Sequence, residues 1–451
     1  MFEALLWSVF VVVLIGVVIA LDGSRDMFHP LVFIGPMLAF IYGWMPLRLL
    51  SEDGLSRFFD NDQLLFVQAL NIAGIVAFVG ACLAAGCRVK RRETYLPVLS
   101  MQGCWRLKLG GAAVGGVGLL CWLISIVNVG GFVNAFSRSY SGGWDDSGYI
   151  RDGSLLLLVG VLLLVAVIAI EGPRLTNLAL AALFGLPWLS QALLTARRGP
   201  TFAFAVVVLM GWYLNRNRRP PAVAVVVSGF LLGWLVLFLV ANRGNIYLGS
   251  DFDVNTDVTT MVEKSDTGNE YIYGTGAVTA ARRRNQYFWM RRYLAQVLVR
   301  PIPSSVWPNK YEDVGLPELS RNAGTSEGFG DALGWVGAVG SAPGIIADLW
   351  VEVSWLAVAL MALLGWSYGW IWRKAIVAGP AWSSQYVILA ALSIYMVMQT
   401  MEAVIFRTLL LSIPSWLVWK WALRASPSES DVSVEIVSQE EWSASEGFGH
   451  A

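Results

Sequence analysis

Runs of about 20 apolar residues recur along most of this chain, and that is the length an α-helix needs to cross the hydrocarbon core of a bilayer. Such windows lie at 4–21, 31–50, 64–86, 109–130, 154–170, 176–195, 201–214, 221–241, 345–371, 382–401 and 403–423. They predict an all-α integral membrane protein of about eleven transmembrane helices, the last two tightly joined. The short 201–214 window reaches Arg216 by snorkelling. Composition agrees. Of 451 residues 56% are apolar and 14% charged, far less charge than a water-soluble surface of this size carries. Twenty-one Trp and 45 Gly suit interfacial anchoring and close helix packing. The net charge is zero, which points away from a nucleic-acid partner. The first apolar run, Ala4 to Ala20, has no basic residue ahead of it and no small-residue cleavage box behind it, so it reads as a retained helix rather than a signal peptide.

Lys and Arg in short loops orient the spans. Arg88, Lys90, Arg91, Arg92, Arg106 and Lys108 follow span three; Arg216, Arg218 and Arg219 follow span seven; Arg373 and Lys374 follow span nine. Alternating spans put all three groups on one side, the cytoplasm. The N-terminus and the segment 243–343 are then outside, and the Ser/Glu-rich tail 425–451 is a disordered cytoplasmic extension. The membrane domain is 1–424, with 243–343 inserted in it as a large outer loop. One short loop opposes the rule: Arg197 and Arg198 join spans six and seven on the outer side. The four cysteines, Cys82, Cys87, Cys104 and Cys121, show neither metal spacing nor a disulfide framework and read as small buried or cytoplasmic side chains.

The outer loop is too long for a connector, and its charges are sorted. Between Asp251 and Glu270 there are six acids against Lys264 alone; between Arg282 and Arg300 there are six arginines and no acid. Tyr287, Met290, Leu294, Val297 and Leu298 recur at helical spacing and predict an amphipathic helix. Such a helix either lies in the membrane interface or packs its apolar face on the bundle, and the second reading is slightly favoured. Pro301, Pro303 and Pro308 then exclude a continuous helix. The stretch 322–340 is Gly-rich and contains Glu327 and Asp331.

Four stretches together resemble the oligosaccharide repeat-unit polymerases, the Wzy-like O-antigen polymerase family of bacterial inner membranes. They are Asp26-Met27-Phe28-His29-Pro30-Leu31-Val32-Phe33; Arg197-Arg198-Gly199; Ile302-Pro303 through Trp307-Pro308-Asn309-Lys310; and Gly344-Ile345-Ile346-Ala347-Asp348-Leu349-Trp350, with Arg407 in the last span. The chain departs from that pattern after Asp348, where Val351-Glu352-Val353-Ser354 stands in place of an Asn-Phe-Gly-like turn. The resemblance implies a metal-independent membrane glycosyltransferase with no cofactor. It would transfer a glycan from undecaprenyl diphosphate to a lipid-linked acceptor repeat unit on the outer face, building O-antigen, capsule or exopolysaccharide. Its partners would be the lipid-linked oligosaccharide, membrane lipids and a chain-length regulator protein.

That chemistry needs cations around the leaving diphosphate and a base for the acceptor hydroxyl. Arg197, Arg198 and Arg243 close spans six and eight on the outer side, and Arg300 and Lys310 extend the set from the loop. Arg407 lies inside an apolar span, where a charge is costly; it either serves the site or pairs with Glu402 or a neighbouring helix. Both histidines, His29 and His450, fall outside the outer loop, so the candidate bases are Asp348, Glu352, Glu327 and Asp331, although most exposed loop carboxylates merely solvate. Asp348 and Glu352 are four apart and share a helix face. The rival readings are an O-antigen ligase-like transferase, a lipid-linked oligosaccharide flippase or other transporter, and a structural subunit of an envelope assembly. The ligase reading expects a loop histidine that this chain lacks.

Overall fold

The computed structural model describes residues 1–51, 54–87, 99–137, 148–242, 244–251, 253–254, 256–257, 270–316 and 342–425. Among these, every regular element is a helix. The long ones are α1 (Phe2–Ser24), α2 (Pro30–Ser51), α3 (Asn61–Gly86), α4 (Met101–Asn128), α5 (Ile150–Glu171), α6 (Leu175–Leu194), α7 (Arg198–Asn215) and α8 (Ala222–Ala241). Then come α9 (Glu270–Arg284), the short α10 (Arg291–Leu294) and α11 (Gly344–Val353). The chain closes with α12 (Leu356–Val377), α13 (Pro380–Met398) and α14 (Met401–Leu423). Eight helices among the described residues are long and apolar enough to cross a membrane: α1 to α6, α8 and α13. The protein is therefore a multi-pass membrane protein.

Three of these boundaries differ from the apolar windows. The window 345–371 is two helices, because Ser354 adopts a left-handed φ of 54° and breaks the ladder between α11 and α12. Helix α4 begins at Met101, eight residues before its window, capped by the Ser100 hydroxyl accepting from the Gly103 amide at 3.0 Å. Its first turns carry Arg106 and Lys108, whose long side chains reach Trp421 and Thr176. Helix α7 begins at Arg198, so both residues of the Arg197-Arg198 pair stand at the helix start.

Close packing rests on small residues, as it must where lipid offers no hydrophobic drive between helices. The most extensive pair is α3 with α12. A Cβ on Gly365 would stand 2.1 Å from the Phe78 carbonyl oxygen, and one on Gly369 would stand 2.5 Å from that of Cys82. Only glycine at these two positions, one helical turn apart, lets the backbones meet. Helix α8, by contrast, buries little of its surface; Val225 and Leu232 lean on the main core and Leu239 sits beside Ala196 and Ile246.

Contacts sort the helix ends into two sets. At one end, His29 meets Trp372 with ring centroids 4.8 Å apart, Tyr386 donates to the Phe28 carbonyl, and Arg216 donates to that of Ala169 at 3.2 Å. Lys374 stands over Trp370 and Lys420 over Trp416, and Trp382 bridges those two rings at 5.2 and 5.0 Å. Tryptophans ringed by cations are the side chains expected at a lipid–water boundary. The opposite end gathers α9, α10 and α11 with the Arg197-Arg198 turn and the start of α14. All four cysteines are free thiols.

Candidate functional site

At the α9 end, two charged clusters form side by side. The first centres on Arg292, from the Arg-rich stretch, which is 2% exposed. Its Nη2 donates to Asp348 Oδ1 at 2.6 Å, its Nε donates to Glu352, and its Nη1 reaches Glu402 Oε2 at 3.4 Å. The Tyr293 hydroxyl and the Met401 amide complete Asp348, both donating to Oδ2, at 2.5 and 2.8 Å. Gln296 donates to Glu402. Four-residue spacing puts Asp348 and Glu352 on one face of α11, as the sequence implied, and the helix turns that face inward. Burial alone would lower the Arg292 guanidinium, but the three carboxylates hold it well above its ordinary value. Burial, and then Asp348, push the Tyr293 phenol well above its usual range.

These contacts bear on two questions the sequence left open. Leu294 and Leu298 do not pack on the bundle: they are 54% and 64% exposed, while Arg292 and Gln296 of the same segment point inward. The carboxylates select the inward face, because turning Arg292 outward would leave Asp348, Glu352 and Glu402 buried without a counter-charge. Glu402 and Arg407 do not pair with each other: Glu402 turns to Arg292 and Gln296, and Arg407 turns to Tyr395 on the neighbouring helix α13, the other arrangement left open by the sequence.

The second cluster is cationic. The Arg407 guanidinium carbon stands 4.4 Å over the Tyr395 ring, and its Nη1 is buried with no hydrogen-bond partner among the described residues. Tyr395 packs against Gly199, where a Cβ would come within 2.4 Å of the ring, so the start of α7 is drawn tight against α13. Arg197 and Arg407 both act electrostatically on the Tyr395 hydroxyl, and Arg300, Arg151 and Asp152 act on Arg407. Arg300 lies 4.6 Å over Phe406, the neighbour of Arg407, and its Nη2 donates to Asp152 Oδ2 at 2.6 Å. Arg198 is about one-third exposed and pairs with the buried Glu270. Below this turn, α5, α6 and α7 enclose an apolar groove of about 420 Å³ lined by Val165, Leu189, Phe204 and Trp212.

Lys310 belongs to neither cluster. It is buried, and its ammonium donates to the carbonyls of Arg300 and Ile302 at 3.2 and 2.6 Å, folding the Pro-rich turn back on itself. That is a structural use of a cation expected at the diphosphate. Arg243, Glu327 and Asp331 lie outside the described residues. Among the described residues, no group of His, Cys, Asp and Glu side chains is arranged to hold a metal ion.

Searches of protein-family models, curated proteins and solved structures find no match to this chain.

Of the sequence candidates, Arg197, Arg300 and Arg407 converge, Arg198 turns to Glu270, and Asp348 and Glu352 converge elsewhere, on Arg292. The sequence offers Arg292 only within the arginine group 282–292, as a candidate part of the cationic pocket, and Glu270 only as one acid among six; it does not single out Tyr395 or Asp152. Nothing local distinguishes Arg292 from Arg291, which is exposed and bonded to the carbonyls of Val314 and Gly315. For Tyr395 a signal existed: a polar ring in an apolar span, one helix away from an intramembrane arginine.

Proposed function

We propose that this protein joins lipid-diphosphate-linked glycan units, as a metal-independent membrane glycosyltransferase of the repeat-unit polymerase kind. The observation that carries the reading is Arg407 stacked on Tyr395 with Arg197 acting on the same hydroxyl and Arg300 beside Arg407, at one end of an apolar helix bundle. A diphosphate leaving group develops negative charge as its bond to the anomeric carbon breaks, and preorganised guanidinium groups in a low-dielectric setting stabilise it strongly. Arg407 carries a buried N–H without an acceptor, which suits an incoming phosphoryl oxygen. The apolar groove beneath the Arg197-Arg198 turn suits the prenyl tail of the same donor.

In this scheme the acceptor hydroxyl oxygen attacks the anomeric carbon, the sugar–phosphate C–O bond breaks, and the diphosphate lipid departs. The hydroxyl proton passes to a carboxylate. Asp152 and Glu270 stand beside the arginines and are bound to Arg300 and Arg198. A diphosphate that takes over those guanidinium groups frees the carboxylates to accept a proton. Asp348 and Glu352, both fully buried on Arg292, then serve to hold α11 against α10 and α14 rather than to meet a sugar. The accompanying topology has about eleven spans, α7, α12 and α14 joining the eight apolar helices. The α9 end faces outward across a bacterial inner membrane, with 243–343 as the outer loop and the polymer being O-antigen, capsule or exopolysaccharide.

The test supplies purified protein with a lipid-diphosphate-linked repeat unit, without nucleotide sugar or divalent metal. A ladder of longer glycans that is lost in R197A, R300A and R407A supports the reading. Movement of the intact lipid across vesicle bilayers with no ladder replaces it with a flippase.

A further inference from the structure

The segment from Trp289 to Leu298 is built inside out for a protein in water. Arg292 and Gln296 are buried against α11 and α14, while Trp289, Leu294 and Leu298 are 59%, 54% and 64% exposed and Arg291 is exposed beside them. Leu294 and Leu298 are four apart and so lie on one side of the segment. The inward face is held by three carboxylates, and two backbone bonds fix its start: Phe288 and Trp289 donate to the carbonyls of Val351 and Glu352 at 3.1 and 2.6 Å. The outward apolar face is thus a fixed feature of the fold. Its free energy favours an apolar neighbour.

The level of this face follows from an aromatic chain. Trp289 meets Tyr287 at 5.9 Å, Tyr287 meets Trp350 at 6.2 Å, and Trp350 meets Trp355 at 5.0 Å. Trp355 is 61% exposed and stands immediately before the 22-residue helix α12. It also touches Phe66, in the second turn of the membrane-length helix α3. Exposed Trp289 is therefore tied, through the buried Trp350, to exposed Trp355 at the start of α12, and tryptophans at helix ends are where membrane proteins meet the headgroups. Beside it, at the end of α9, Arg283 and Arg284 are exposed, and cations there complement anionic headgroups.

We propose that the Trp289–Leu298 segment is a membrane-surface anchor, its apolar face sunk into the leaflet at the α9 end and its flanking arginines set among anionic phospholipid headgroups. The occupant of the face is the bilayer itself. The anchor fixes the depth of the Arg292 cluster, and through Arg300, the residue that follows the segment's final helical turn, it fixes the depth of the cationic pocket. The proposal stands whatever reaction the pocket performs.

The test uses the full chain in nanodiscs of mixed phosphatidylglycerol and phosphatidylethanolamine. A fluorescent non-canonical residue is placed at position 294 or 298, or at exposed Glu312 as a control. All three sites are on the surface, so the fold is retained. The expected result is strong quenching at 294 and 298 by doxyl groups carried on the lipids, little quenching there by aqueous iodide, and the reverse at 312. In nanodiscs of phosphatidylcholine alone, or in the R283Q/R284Q variant, the probes at 294 and 298 should shift toward water. Iodide quenching at 294 and 298 equal to that at 312 would overturn the anchor. So would shielding from iodide without lipid quenching, since that places a second copy or another protein on the face.

Discussion

Changing Arg292 to Met should release the α10 segment from the bundle. The variant keeps the volume of the side chain but removes the single cation that Asp348, Glu352 and Glu402 share. All four groups are at most 2% exposed, so solvent screens none of the loss. Removing one partner of a buried, hydrogen-bonded ion pair costs about 3–5 kcal/mol, because the remaining charge stays buried without compensation. At about 1.4 kcal/mol per tenfold, the local opening equilibrium rises roughly a hundredfold to a few thousandfold. Hydrogen exchange of the amides from Tyr293 to Arg300 reads this directly, since exchange from a fast pre-equilibrium scales with the open population. Exchange accelerated less than about tenfold would refute the view that Arg292 holds the segment by paired charge. A second variant separates charge from packing. Combining R292M with D348N, E352Q and E402Q leaves no buried charge, so exchange should slow again relative to R292M alone.

Other outcomes follow from the same structure. In the polymerisation assay, R407A should lower the rate by about a hundredfold to a thousandfold. R407K should restore little of it, because an ammonium neither stacks flat on Tyr395 nor donates two parallel bonds to a phosphate. G199A places a methyl group within 2.4 Å of Tyr395 and should both lower activity and destabilise by about 1–3 kcal/mol, while G199A combined with Y395L should recover stability but not rate. G365A meets the Phe78 carbonyl at 2.1 Å and should lower the melting temperature, whereas G80A, with nothing within 4 Å, should leave it unchanged; a thermal melt in detergent compares the two. Burial raises the Tyr293 and Tyr271 phenols, so the stability they contribute is present below the unfolded value of about 10 and is lost as pH rises above it. Melting temperatures of the Y271F/Y293F variant should therefore fall less steeply above that pH than those of the wild type.

The sequence by itself determined what depends on neighbours along the chain. Apolar runs of the right length became helices, because the length needed to cross the hydrocarbon core and the hydropathy of a run are local quantities. The basic residues Arg106, Lys108, Arg216 and Lys374 came out at one end of the bundle, since a charge at mid-membrane is costly. The arginines of the Arg197-Arg198 turn, of the loop and of α14 were legible as unusual for the same reason. Only the tertiary structure decided what each of them does. The partners that bury Arg292 lie 56, 60 and 110 residues away in the chain, and no local pattern distinguishes it from Arg291. Those distant carboxylates turned the amphipathic segment over, so its leucines face outward where periodicity alone favoured inward. The carbonyls of Arg300 and Ile302, within the same Pro-rich turn, drew Lys310 into a structural role. Periodicity shows that a helix has two faces, but which face is buried depends on what the rest of the fold presents to it, and here that was charge.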